Sequence, residues 1–142
     1  DHLGAISEAG IEALAASDTV ATLLPGTLFF LGKTAYAPAR RLLDAGAEVA
    51  LATDFNPGSS ASPSLPLILT IACSQMGMSP LEALAAATRG GARALRLDDR
   101  GTLTAGSRAD LVVWDTADYR EIPYRYGIRL ARSVWKGGKA VA

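Results

Sequence analysis

The sequence predicts an α/β fold followed by a small β region, and three observations carry that reading. Helix-like and strand-like apolar patterns alternate through residues 1–97, as βα units around a parallel sheet require. An apolar run from Val49 to Ala52 stops at Thr53-Asp54, and the turn-forming string Phe55-Asn56-Pro57-Gly58-Ser59 follows it. From Asp98 the texture changes to short β-branched segments divided by glycines, so residues 98–142 form a second region.

Each element has a local cause. Ser7 is an N-cap, Glu8 sits in the first turn, and Ile11, Leu14 and Ala15 recur at helical spacing, giving a helix over Glu8–Ala16. Thr19–Leu24 is short, apolar and partly β-branched, hence a strand that Pro25-Gly26 stops. Pro38, Leu42, Leu43 and the terminator Gly46 mark a second helix, and Glu48–Thr53 the next strand. A loop over Asn56–Pro66 leads to a helix over Leu67–Met76. Ser79-Pro80-Leu81-Glu82 then combines an N-cap serine, a proline at the first position and a glutamate that closes a capping box. The apolar run continues to Leu95 with Gly90-Gly91 inside it, where a bend or break is expected. In the second region Gly101–Gly106, Ala109–Trp114 and Ser133–Val141 read as short strands and turns, with a hairpin at Lys136-Gly137-Gly138-Lys139.

Composition narrows the function classes. The 142 residues carry no net formal charge, so there is no electrostatic footprint for nucleic acid or an anionic membrane surface. No apolar run approaches the ~20 residues of a membrane span. The single Cys73 cannot form an internal disulfide, which suits a reducing, cytoplasmic setting. It lies on an apolar helix face with no histidine nearby, as a small buried hydrophobe would. Arg40-Arg41 reads as a solvated helix face, and Trp114 and Trp135 as packing residues. The chain opens on Asp1-His2-Leu3, without an initiator Met or a signal-like segment, and a piece of a longer protein is expected.

Asp54 is the chief candidate for chemistry. A buried parallel strand that delivers a carboxylate to its C-terminal end is how α/β barrels build active sites. The competing reading is structural: Asp54 and Asn56 are both good Asx-turn residues, and turn geometry alone accounts for Pro57-Gly58.

Taken together, three segments resemble the amidohydrolase superfamily: Ala52-Thr53-Asp54, Ser79 to Leu95, and Gly101 to Asp115 with the closing Val134 to Val141. Within it the chain is most similar to the imidazolonepropionase family, through Asp1-His2-Leu3, Leu23-Leu24-Pro25-Gly26 with Phe29-Phe30-Leu31, Asp54 to Ser59, Met76 to Leu84, and Tyr126-Gly127. The resemblance implies a partial (β/α)8 barrel, its last three βα units in residues 1–97, joined to the C-terminal part of a β-sandwich in residues 98–142. It implies hydrolysis of 4-imidazolone-5-propanoate to N-formimidoyl-L-glutamate, with one divalent ion, Zn²⁺ or Fe, as cofactor. It assigns Asp54 to metal ligation and proton transfer, His2 to the reacting carbonyl, and Asn56, Gly58 and Ser59 to substrate. It leaves room for a homodimer. Asp110, at a strand entrance, has a structural role on this reading. The family's His-x-His pair and further metal-binding histidine have no counterpart in a chain whose one histidine is His2. Catalytic zinc takes three protein ligands, so turnover is not expected of this segment alone. The alternatives are another cyclic amidohydrolase or a deaminase sharing the Asp54 strand end, and a non-catalytic scaffold.

Overall fold

A computed structural model describes residues 1–142. Helix α1 (Glu8–Ala15) begins at Ser7, whose side chain accepts from the Gly10 N–H, and buries Ile11. Strand β1 (Ala21–Leu23) is followed at once by helix α2 (Pro25–Phe30). Pro25-Gly26 therefore starts a helix rather than merely stopping a strand: proline at the first helical position is pre-set in φ, and its missing N–H has no partner to lose there. Helix α3 (Ala39–Asp44) leads to β2 (Val49–Leu51), which pairs with β1 in parallel, Ala21 opposite Val49 and Leu23 opposite Leu51. Both strands are apolar and largely buried, as a sheet covered by helices demands.

Helix α4 (Leu65–Gln75) starts two residues earlier than its periodicity suggests, because the Ser64 hydroxyl caps it by accepting from Leu67 N–H. Helix α5 (Pro80–Ala85) carries the capping box in full. The Glu82 carboxyl is held below the usual carboxylate range, first by the Ser79 backbone N–H, then by the Ser79 hydroxyl and the Arg40 guanidinium. Arg40 is more than a solvated charge, since Nη1 donates to both Glu82 oxygens at 2.9 and 3.0 Å and so ties α3 to α5.

Of the bend or break expected at Gly90-Gly91, no break occurs, and the helix is locally irregular there instead. A π turn (Ala86–Gly90) joins α5 to α6 (Gly91–Ala94) in one continuous helical path. Gly90 lies directly on β2: a Cβ there would sit 2.1 Å from the Val49 carbonyl oxygen. The glycine serves a close approach of helix to strand, not a break.

The second region opens with turns over Gly101–Gly106, within the expected run of short strands and turns. Strands β3 (Leu111–Trp114), β4 (Ala131–Lys136) and β5 (Lys139–Ala140) form an antiparallel sheet in the order β3-β4-β5, and a short helix, α7 (Glu121–Tyr124), interrupts the β3–β4 connection. Gly137 and Gly138, at φ 57° and 78°, make the two-residue hairpin between β4 and β5. Asp110, at the entrance to β3, accepts from the Gly137 N–H at 2.7 Å and from Arg108 and Arg100. The principal core gathers Leu23, Leu42, Val49, Leu51, Ile68, Leu69, Met76 and Met78, nearly all from the first region, with Ile122 from the second. No helix is long and apolar enough to cross a membrane.

Candidate active site

Strand β2 ends at Leu51 and the chain turns at Asp54, which stands at the strand's C-terminal end. Asp54 has φ 50°, the left-handed region that non-glycine residues seldom occupy and that costs of order 1–3 kcal/mol when imposed. Its Oδ2 accepts from the Thr27 hydroxyl at 2.6 Å, and Oδ1 accepts no hydrogen bond within the chain. The side chain is 31 % exposed, so the carboxylate is neither sealed in the core nor freely solvated.

His2 faces it, with Nε2 3.9 Å from Asp54 Oδ2. What holds His2 is backbone: its N–H donates to the Thr22 carbonyl at 3.0 Å, which lays the chain start alongside β1. His2 and Leu3 both have φ 61°, and the Leu3 N–H donates back to Asp1 O at 2.8 Å in a γ-turn centred on His2. Three left-handed non-glycine residues thus converge on one end of the sheet, a clustering typical of functional sites.

Beyond Asp54 the loop is organised by one amide. Asn56 Oδ1 accepts from the Gly58 N–H at 2.9 Å and the Ser59 N–H at 2.8 Å, with the Ser59 hydroxyl at 3.3 Å. Its Nδ2 donates to the Asp54 carbonyl at 2.7 Å. The Asx-turn reading of this string is realised, and Gly58 and Ser59 present N–H groups whose acceptor is Asn56. The loop closes through a bridge between Asn56 and Ser60, and the buried Ser60 hydroxyl donates to the Thr53 carbonyl at 2.6 Å.

Asp54, His2, Asn56, Gly58 and Ser59 therefore share the C-terminal edge of the β1–β2 pair. Thr27 and Ser60 were not singled out from sequence. A signal for Thr27 existed: adjacent parallel strands end side by side, so the segment just after β1 must face the segment just after β2. Cys73 is half-buried, and burial pushes its thiol up, as suits an inert packing residue.

As a metal donor set the end of β2 offers the Asp54 carboxylate with its free oxygen, and no three His, Cys, Asp or Glu side chains cluster to complete a site. Asp54 fits as a single ligand of a shared set.

Over residues 1–142 the chain matches a family model described as "Amidohydrolase family". It is 49% identical over 142 residues to an imidazolonepropionase of Bacillus velezensis, covering 99% of this chain and 34% of that protein. It is 51% identical to one from Geobacillus kaustophilus, with 99% and 33% covered. The chain spans about a third of the length of these curated relatives. Among solved structures it is similar to an adenosine deaminase from Xanthomonas campestris with bound zinc, at TM-score 0.89 and 25% identity, over 98% of this chain and 35% of that one. An atrazine chlorohydrolase from Arthrobacter aurescens complexed with zinc follows at TM-score 0.82 and 25% identity, over 99% and 35%.

Proposed function

The chain belongs to the amidohydrolase family, and from that premise we propose that it is the C-terminal third of an enzyme that hydrolyses 4-imidazolone-5-propanoate to N-formimidoyl-L-glutamate. On this reading residues 1–97 are the last three βα units of a (β/α)8 barrel, and residues 98–142 the C-terminal strands of a β-sandwich. The observation that carries the proposal is the Asp54 carboxylate at the end of β2, held left-handed and facing His2. Identity near 50% to proteins of that name supports the substrate over the amine substrates of the deaminases, which match at 25% or below.

One divalent ion, Zn²⁺ or Fe, would be held in part by Asp54, and when bound it supplies a water whose pKa is lowered toward ~7. The chain's own residues account for the rest. The water oxygen bonds to the ring carbonyl carbon, and the Asp54 carboxylate takes up the proton released. The C–N bond then breaks, and Asp54 returns that proton to the departing nitrogen. His2 Nε2 donates to the oxyanion that develops on the carbonyl. The substrate's propanoate carboxylate is met by the Asn56–Ser59 loop, where the Gly58 and Ser59 N–H groups now shared with Asn56 Oδ1 are the available donors.

The test is a substrate panel on the full-length protein that carries this segment. Hydrolysis of 4-imidazolone-5-propanoate with no ammonia released from adenosine or guanine is expected; the reverse pattern would overturn the assignment. Asn56→Ala should raise KM more than it lowers kcat, because the loop serves recognition.

A further inference from the structure

Resting on the role proposed for Asp54, we propose that Thr27 and Ser60 are positioning residues for its carboxylate, two hydroxyls that fix the end of β2 in its reactive conformation. A left-handed aspartate is not self-supporting. Asn56 Nδ2 holds the carbonyl on the far side of Asp54, but nothing in the Asx loop fixes the peptide before it or the side chain itself. Ser60 does the first: buried to 3 % exposure, it donates to the Thr53 carbonyl, the peptide that leads into Asp54. Thr27 does the second, since its 2.6 Å bond to Oδ2 selects one carboxylate orientation and leaves Oδ1 free for the reaction.

The fold brings the two hydroxyls together through Gly26. A Cβ at that position would lie 2.8 Å from Ile68 Cδ1 and 3.0 Å from Ser60 Oγ, with the Thr53 carbonyl oxygen at 3.4 Å. The glycine lets the first turn of α2 seat this closely on the exit of β2 without displacing the Ile68 and Ser60 side chains, and Thr27, next in sequence, is thereby delivered to Asp54. Threonine is also the better hydroxyl for the task, because its branched Cβ restricts χ1 and keeps the donor aimed. Pro25-Gly26-Thr27 thus works as one device: proline starts the helix, glycine admits it, and threonine holds the carboxylate.

The experiment compares Thr27→Val, Thr27→Ser and Ser60→Ala with Asp54→Asn in the full-length enzyme. Thr27→Val keeps the shape and removes the donor. It should lower kcat by about 10- to 100-fold with KM little changed, and weaken zinc retention in a chelator competition by a similar factor. The visible spectrum of the cobalt-loaded form should shift, and the thermal midpoint should stay near wild type. Thr27→Ser should recover most of the activity and metal affinity, and Ser60→Ala should lower kcat in the same sense as Thr27→Val. Wild-type kcat and metal affinity in Thr27→Val, or a Thr27→Ser no better than Thr27→Val, would overturn the proposal while leaving Asp54 its role. Turnover that survives Asp54→Asn would instead overturn the functional reading itself, and the positioning role with it.

Discussion

In the α/β region Leu23, Leu42 and Ile68 are sealed from solvent, whereas Val112, Val113 and Trp135 of the antiparallel sheet stay 39 %, 40 % and 37 % exposed. The first region is held by apolar burial on both sides of its strands. The second is held at its entrance by a polar clasp, in which Asp110 gathers the hairpin N–H of Gly137 and the guanidinium groups of Arg108 and Arg100. A cleft of about 650 Å³ lined by Leu69, Leu84, Trp114 and Trp135 lies between them. Asp54 and Thr27 stand on the closely packed region, which can keep a strained aspartate in place, while the sheet leaves apolar surface for which the proposed sandwich would supply cover.

The contrast is most easily broken by truncation. Leu23→Ala, at a position with no exposure, should cost about 2–5 kcal/mol in denaturant unfolding, whereas Val112→Ala should cost under about 1 kcal/mol. Equal losses would mean that the two regions share one mode of stabilisation.

Gly90 and Gly91 sharpen it further. A methyl group at Gly90 runs into the Val49 carbonyl and should destabilise by about 1–3 kcal/mol. Gly91 has helical φ and ψ and meets nothing within 4 Å, so Gly91→Ala should stabilise by about 0.4–1 kcal/mol. Thermal melts of the two variants read opposite signs from adjacent residues.

The smallest effect is a pH effect in the second region. The Gly137 N–H, then Arg108 and Arg100, hold the Asp110 carboxyl below the ordinary carboxylate range. A carboxyl depressed on folding contributes stability that is fully present above its unfolded pKa and is lost as pH falls through the folded value. Hairpin amides, once corrected for intrinsic exchange, should therefore lose protection in acid, below the normal aspartate range, and Asp110→Asn should remove that acid dependence.

These regions also differ in how far the sequence disclosed them. Much of the local chemistry was legible: the Ser79–Glu82 capping box, the Ser7 cap, the two-glycine hairpin and the aspartate after an apolar strand all occur as their residues imply. What stayed hidden depends mostly on contacts distant in the chain. Gly90 looks like a helix breaker until β2 lies beneath it, where any side chain would meet the Val49 carbonyl. Helix α2 was masked because Pro25-Gly26 is equally good punctuation and equally good helix start. Thr27 escaped because its partner lies 27 positions away, across the strand pair. In the second region, Gly101–Gly106 has β-branched residues yet forms turns and pairs with no strand.

Replacing Asp54 by asparagine in the full-length protein separates its chemistry from its place in the fold, because the amide keeps the size of the side chain and loses its basicity. Hydrolysis of 4-imidazolone-5-propanoate should fall by at least about 100-fold, the scale of a lost general base, while the thermal midpoint stays close to wild type. Turnover within a few-fold of wild type in a folded Asp54→Asn protein would contradict the account.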